Sequence, residues 1–204
     1  MKLYLVRHAQ SLRNARQKST HDSDLSEIGQ EQARRLGSYF KNKHIDLIYC
    51  STMIRAMNTL KEILPYLKKS KVVYSKEIVE HKMGTHGKDS DDWTTFAKAA
   101  SESGKPFHLY KPKGGESLTE VYKRAGKFYK NLLKKHRKDN VLVVGHGIFS
   151  LYLILNALKL DVLEGKYYSL SNASVSQLDI NPTEKVTYFN INDYNHLIFG
   201  GMKK

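Results

Sequence analysis

Short apolar runs alternate with longer amphipathic stretches along this chain of 204 residues. Short runs rich in Leu, Ile and Val, bounded by polar or turn-forming residues, are typical of strands that are buried on both faces. The predicted strands are residues 2–7, 45–51, 71–79 and the stretch NVLVVGHG, which begins at residue 140. Helices are predicted between and after them, at about residues 26–41, 51–64 and 147–158.

The longest amphipathic stretch is GGESLTEVYKRAGKFYKNLLKKH, which begins at residue 114. Apolar side chains recur in it at intervals of three and four residues, which is the period of one helix face. Ser117 and Glu120 have the spacing of a capping box, in which each side chain accepts a hydrogen bond from the other residue's backbone N–H. The stretch therefore predicts a long helix that begins near Ser117.

The alternation of strands and helices favours an α/β fold, a three-layer sandwich in which helices cover both faces of a mostly parallel central sheet. SVSQLDI and KVTYFNIN flank Asn181–Pro182 near the C-terminus and predict a hairpin that adds an antiparallel edge. Residues 80–115 are irregular except for a helical piece near 90–103, so we expect a partly helical cap insertion over one end of the sheet. The length suits a single domain over residues 1–204.

Composition narrows the class of protein. No apolar run approaches the roughly 20 residues of a membrane helix, and Arg7 and His8 interrupt the N-terminal run too early for a signal peptide. With Cys50 as the single cysteine, no intrachain disulfide can form, and we expect a cytoplasmic, reduced protein without a membrane partner.

The formal net charge of +14 favours anionic partners. Only 8 of the 34 basic residues are arginines, although base readout and bidentate phosphate binding rely on arginine. We therefore do not expect nucleic acid as the partner, whereas small phosphorylated metabolites are among the anionic partners that the charge favours. The sequence does not indicate an oligomeric state.

Chemistry-bearing residues follow three of the predicted strands. Arg7 and His8 end the first strand, Arg55 lies about one turn into the helix after the second, and His146 stands between two glycines after the fourth. Ligands of such sheets bind beyond the carboxyl ends of the strands, where helix N-termini also favour anions. Each residue alone could be an ordinary surface or strand-end side chain, but together the four predict an anion site.

The motifs around these residues resemble those of the histidine phosphatase superfamily, also called the phosphoglycerate mutase-like proteins. LVRHAQS resembles its Arg-His-Gly signature, with Ala9 in place of glycine, and LSEIGQEQARRLG resembles its Leu-Thr-x-x-Gly-x-x-Gln-Ala stretch. STMIRAMNT, GGES and VVGHG resemble its Ser-x-x-x-Arg-Ala-x-x-Thr, Gly-Glu-Ser and second-histidine motifs. Asn14 and Glu80 fall where the family has its phosphate-contacting asparagine and its acid.

The resemblance implies a set of roles in phosphoryl transfer. Neutral His8 is expected to attack phosphorus and form a phosphohistidine, and Glu80 is implied as the acid for the leaving oxygen and then the base for water. The side chains and helix start expected to bind the phosphate are Arg7, Asn14, Arg55, His146 and Gly147. His146 is expected to be protonated beside the phosphate. No metal or cofactor is expected, since the arginines supply the charge.

Three functions remain open at this point. A metal-independent phosphatase is favoured over a cofactor-dependent phosphoglycerate mutase, because residues 12–24 contain none of the tryptophans typical of such mutases. A non-catalytic phosphate sensor is less favoured, because it would need the arginines but no nucleophile. His81 and His86 lie five residues apart without a clear third ligand, so a metal site there is not expected.

Overall fold

The strands form one mixed sheet. The computed structural model describes residues 1–17, 20, 22–84 and 93–198. Within these residues the strands are β1 (Lys2–Arg7), β2 (Leu47–Ser51), β3 (Lys71–Ser75), β4 (Asn140–Gly145), β5 (Val175–Ile180) and β6 (Val186–Asp193). They lie in the order β3-β2-β4-β1-β5-β6. The first four are mutually parallel, whereas β5 pairs antiparallel with β1 and β6 pairs antiparallel with β5. The predicted fold class is confirmed, including the antiparallel edge.

Helices cover both faces of this sheet. In the described residues they are α1 (Glu27–Phe40), α2 (Ile54–Ile63), α3 (Trp93–Glu102), α4 (Leu118–Lys135), α5 (Gly147–Leu158) and α6 (Asn195–Ile198). Strand side chains alternate between the two faces. Leu3 and Leu5 pack with the cluster that contains α4 and α5, whereas Tyr4 and Val6 pack with the cluster that contains α1 and α2. The two apolar cores hold β1 rigidly in the middle of the domain.

The ends of several elements differ from their predicted positions. β3 ends at Ser75, not near residue 79, because the Ser75 side chain accepts a hydrogen bond from Glu77 N and begins a short 3-10 helix, Lys76–Ile78. α2 begins at Ile54, three residues later than predicted, and the backbone N–H of Ile54 donates to Asp22 Oδ1 at 2.8 Å. A cap from a residue 32 positions away leaves no local signal in the sequence.

The predicted capping box of α4 is present, since Ser117 Oγ accepts from Glu120 N at 3.2 Å and Ser117 N donates to Glu120 Oε2 at 2.8 Å. In the segment before α4, Phe96 of α3 is fully buried in the same core cluster as β1. Its ring also contacts the rings of Phe107 and Tyr110. The cap role of residues 80–115 stays a prediction, and residues 85–92 within it lie outside the described part of the chain.

Over the ranges that the structure describes, the helices are too short or too polar to cross a lipid bilayer.

Candidate active site

The sheet brings the two sequence-predicted histidines together. β1 and β4 are parallel neighbours in which Arg7 is paired with Gly145, so His8 and His146 leave the same edge at the same level. Their rings are 5.2 Å apart between centroids, and both side chains are almost completely buried. β2 lies on the other side of β4 and ends there with Ser51. The expected convergence of three strand ends is therefore present.

Two hydrogen bonds define the protonation of His8. Its Nδ1 lies 2.7 Å from the carbonyl oxygen of Ala9, which can only accept, so Nδ1 carries the proton. Its Nε2 accepts from Arg55 Nε at 3.1 Å and so holds a lone pair. Burial, together with the positive charges of Arg55 and Arg7, lowers the pKa of His8 well below its ordinary range. His8 is thus a neutral imidazole whose Nε2 carries an unprotonated lone pair.

Two arginines lie beside this ring, of which Arg55 is buried and Arg7 is partly buried. Arg55 lies in the first turn of α2, with its Nη1 3.7 Å from Asp22 Oδ1. Arg7 donates through Nη1 to the carbonyl oxygen of Leu170, and within the described residues its buried Nε has no hydrogen-bond partner. Burial lowers the pKa of both guanidinium groups, and the charge of Glu80 acts on both in the opposite direction. Two guanidinium cations with limited access to water favour the binding of an anion.

His146 precedes the first residue of α5. Its Nε2 shares a hydrogen bond of 2.8 Å with Ser51 Oγ, whereas its buried Nδ1 has no partner in the part of the chain that the structure describes. Burial lowers the pKa of His146 well below its ordinary range, and the positive charges of Arg55 and Arg7 lower it further. His146 is therefore neutral in this ligand-free state, and an anion would be needed to stabilise its protonated form.

Glu80 occupies the N-terminus of α5. Its carboxylate accepts hydrogen bonds from Ile148 N at 3.1 Å, Phe149 N at 3.2 Å and its neighbour His81 N at 3.0 Å. The N-cap residue His146 makes no side-chain bond to its own helix, so Glu80 satisfies donors that α5 would otherwise leave open. The structure thus brings Glu80 to the same helix start that is predicted to bind phosphate.

Gly147 is the first residue of α5 and lies directly beside Arg7. A Cβ atom at this position would be 3.3 Å from Arg7 Nε and 3.5 Å from Arg7 Cδ. A side chain here would therefore press on the guanidinium that faces the site. Glycine lets the helix start and the arginine share one small space.

Asn14 lies in the turn after β1, where its Oδ1 accepts from Ser11 Oγ at 2.9 Å and from Asn172 Nδ2 at 3.1 Å. Asn172 Nδ2 also donates to the carbonyl oxygen of His8 at 3.1 Å. Ala173 N donates to the carbonyl oxygen of Arg7 at 3.1 Å, and Ala173 has a left-handed φ of 56°. The loop before β5 therefore supports the segment that carries His8.

The loop before β5 was not predicted from the sequence to be part of the site. The stretch SNAS carries no catalytic residue type, and Asn172 lies 164 residues from His8 along the chain. An asparagine followed by a small residue directly before a predicted strand was the available signal.

Histidines outside this cluster have other surroundings. His81 is buried, donates through Nε2 to the carbonyl oxygen of Glu116 at 2.7 Å, and packs edge-on against Phe96 at 4.9 Å between centroids. His86 lies outside the described residues. Across residues 1–17, 20, 22–84 and 93–198, no three His, Cys, Asp or Glu side chains converge in the way a metal site requires.

Comparisons with known proteins agree with this geometry. The family model described as the histidine phosphatase superfamily (branch 1) matches residues 3–192. Phosphoserine phosphatase 1 of Hydrogenobacter thermophilus is 30% identical over 199 residues, which cover 91% of this chain and 90% of that protein. A 2,3-bisphosphoglycerate-dependent phosphoglycerate mutase of Brucella anthropi is 32% identical over 160 residues, covering 71% of this chain and 75% of the mutase.

Among solved structures, the alpha-ribazole phosphatase from Shigella flexneri superimposes with a TM-score of 0.79 at 23% identity, covering 95% of this chain and 96% of that chain. At this identity the likeness concerns the fold alone. It extends over both helical layers and the whole sheet, because almost all of each chain is covered.

Proposed function

The chain belongs to the histidine phosphatase superfamily and is a phosphatase, and from this premise we propose that it hydrolyses small phosphomonoesters through a phosphohistidine on His8 without a metal ion. The observation that carries the proposal is the hydrogen bonding of His8. Nδ1 donates to Ala9 O, and Nε2 keeps its lone pair beside Arg55. A neutral imidazole held in this tautomer is ready to attack phosphorus.

In the first step, Nε2 of His8 forms a bond to phosphorus while the bond from phosphorus to the ester oxygen breaks. The leaving oxygen takes a proton from the carboxyl group of Glu80 and departs as an alcohol. In the second step, the oxygen of a water molecule attacks phosphorus and the carboxylate of Glu80 takes a proton from that water. The P–N bond breaks, its electron pair returns to Nε2, and inorganic phosphate leaves.

Positive charge around the transferred group replaces the metal ion of other phosphoryl-transfer enzymes in this scheme. Arg7 and Arg55 present planar donor groups to the equatorial oxygens, and the start of α5 at Gly147 adds a helix N-terminus. His146 gains a proton when the dianion binds, because an adjacent anion favours the imidazolium. The amide of Asn14 completes the phosphate-binding set.

Glu80 must be protonated to act as the acid. In the ligand-free structure its carboxylate accepts N–H bonds at the start of α5. The same helix start is proposed to bind the phosphate. Phosphate binding and proton transfer from Glu80 therefore take place at one helix N-terminus in this proposal.

The relatives support a proposal for the substrate class. Phosphoserine phosphatase 1 of Hydrogenobacter thermophilus aligns with nearly the whole chain, which supports a small phosphorylated metabolite such as phosphoserine as the substrate. The similarity to the mutase of Brucella anthropi supports a second candidate, transfer of the phosphoryl group from His8 to another hydroxyl of the substrate. Water as the acceptor remains the favoured proposal, because residues 12–24 contain no tryptophan.

The test uses a panel of phosphomonoesters, including phosphoserine, 3-phosphoglycerate and p-nitrophenyl phosphate, assayed in excess EDTA. The proposal expects release of inorganic phosphate, together with an acid-labile, base-stable phosphoryl label on the wild-type protein. His8→Ala should carry no label and lose turnover, yet still bind vanadate through Arg7 and Arg55.

Three results would contradict the proposal in different ways. Turnover that disappears in EDTA and returns with a divalent metal contradicts metal independence. Label on His8→Ala contradicts the nucleophile. Isomerisation of 3-phosphoglycerate without phosphate release favours the mutase.

A further inference from the structure

We propose that Arg124, on α4, is a positioning residue for the general acid: together with Glu116 it holds the backbone on both sides of Glu80. The inference rests on the proposed role of Glu80. Arg124 is remote from the two histidines in the sequence and belongs to none of the motifs considered above. Its side chain nevertheless contacts the backbone just before Glu80, the carboxylate of Glu116 and the ring of Phe149 at the start of α5.

The segment that carries Glu80 has little support from regular secondary structure. β3 ends at Ser75 and the following 3-10 helix ends at Ile78, after which residues 79–84 belong to no helix or strand. Backbone hydrogen bonds of a sheet or helix therefore cannot define the position of residue 80. Side chains from other elements must supply that support.

Arg124 binds the chain just before Glu80. Its Nη1 donates to the carbonyl oxygens of Glu77 at 2.8 Å and Val79 at 3.0 Å. Its Nε and Nη2 donate to Glu116 Oε1 and Oε2, both at 3.0 Å, in a bidentate ion pair. The two side chains are only 21% and 19% exposed. All three guanidinium nitrogens of Arg124 donate hydrogen bonds in this geometry. The single ammonium group of a lysine could not reproduce it.

Glu116 binds the chain just after Glu80. Its Oε2 accepts from Lys82 N at 3.2 Å, and its own backbone N–H donates to Lys82 O at 2.8 Å. Its carbonyl oxygen accepts from the ring of His81 at 2.7 Å. The ion pair of Arg124 and Glu116 thus fixes residues 77–79 on one side of Glu80 and residues 81–82 on the other.

The same guanidinium also contacts the helix start on which Glu80 rests. The guanidinium carbon of Arg124 lies 5.0 Å from the centroid of the Phe149 ring, within the range of a cation–π contact. The backbone N–H of Phe149 donates to Glu80 Oε1 at 3.2 Å. One partly buried cation therefore links the backbone of the acid to the helix N-terminus that receives its carboxylate.

A positioning role and a purely structural role of Arg124 can be told apart by the substrates that its loss slows. An alkoxide is a poor leaving group and needs a proton, whereas p-nitrophenolate leaves nearly unaided. If Arg124 acts through Glu80, its loss must slow alkyl phosphates more than p-nitrophenyl phosphate. A general loss of folded protein slows both substrates equally, so the ratio of the two kcat/KM values does not depend on the fraction of active enzyme.

The experiment measures the kcat/KM for phosphoserine divided by the kcat/KM for p-nitrophenyl phosphate. The variants are Arg124→Gln, Arg124→Lys, Glu80→Gln and the double variant that combines Arg124→Gln with Glu80→Gln. Arg124→Gln should lower the ratio by at least about tenfold, part of the roughly 10²–10⁴-fold that acid–base catalysis contributes. Arg124→Lys should lower it less. In the double variant the ratio should equal that of Glu80→Gln, because without the acid at residue 80 the loss of Arg124 can no longer affect proton donation.

Arg137→Gln is the matched control. Arg137 follows α4 and forms an exposed ion pair with Glu184 at 2.8 Å, so this variant removes the same charge without contacting the acid and should leave the ratio unchanged. An unchanged ratio in Glu80→Gln would overturn the proposed acid and this inference with it. A lowered ratio in Glu80→Gln with an unchanged ratio in Arg124→Gln would overturn the inference alone.

Discussion

Acidification should destabilise this protein through the two histidines at the centre of the site. His8 and His146 are almost completely buried, and burial with the nearby charges of Arg7 and Arg55 lowers both pKa values. In the unfolded chain each histidine regains its ordinary pKa of about 6.5. Below that pH the unfolded state binds protons that the folded state does not, so the free energy of unfolding falls as the pH falls.

The size of the effect follows from the same linkage. While a buried histidine stays neutral, lowering the pH from 7.5 to 5.5 stabilises the unfolded state by about 1.4 kcal/mol, since one pKa unit corresponds to 1.36 kcal/mol. Both histidines together contribute almost 3 kcal/mol on this estimate. That is a large part of the roughly 5–15 kcal/mol by which domains are stable.

The assay is urea unfolding at pH 7.5 and pH 5.5, at constant ionic strength and without phosphate, which would bind the folded site. His8→Asn and His146→Gln should each reduce the pH dependence of the unfolding free energy by about 1.4 kcal/mol relative to wild type. An equal pH dependence in wild type and His146→Gln would refute the view that His146 is buried in its neutral form.

Three further outcomes are expected at and around the site. Arg55→Lys keeps the charge but loses the planar guanidinium that contacts His8, so kcat/KM should fall by the equivalent of about 2–4 kcal/mol. Activity equal to that of wild type would mean that Arg55 does not contribute to catalysis. Asn172→Ala removes the bonds to His8 O and Asn14 Oδ1, and both kcat and the unfolding free energy should fall, the latter by about 1–2 kcal/mol in urea unfolding. Burial raises the pKa of the Cys50 thiol to about 12, so iodoacetamide at pH 7.5 should leave activity intact, with carbamidomethylation of Cys50 seen by mass spectrometry only after unfolding.

The sequence by itself determined the layers of the fold and the place of the site. Apolar runs such as 2–7 and 140–145 must be buried on both faces, so their period and flanks identify parallel strands. Parallel strands end at the same edge, and this is why Arg7, His8 and His146 could be placed together before any contact was known. Local patterns were sufficient because strand period and capping act over a few residues.

Only the tertiary structure decided how these groups are prepared for chemistry. The tautomer of His8 depends on Arg55, 47 residues away, and the support beneath it depends on Asn172, 164 residues away. The position of Glu80 depends on the start of α5 and on Arg124, which lie 68 and about 45 residues further along the chain. Hydrogen bonds between such distant residues depend on how the layers pack, so the local sequence around each partner does not predict them.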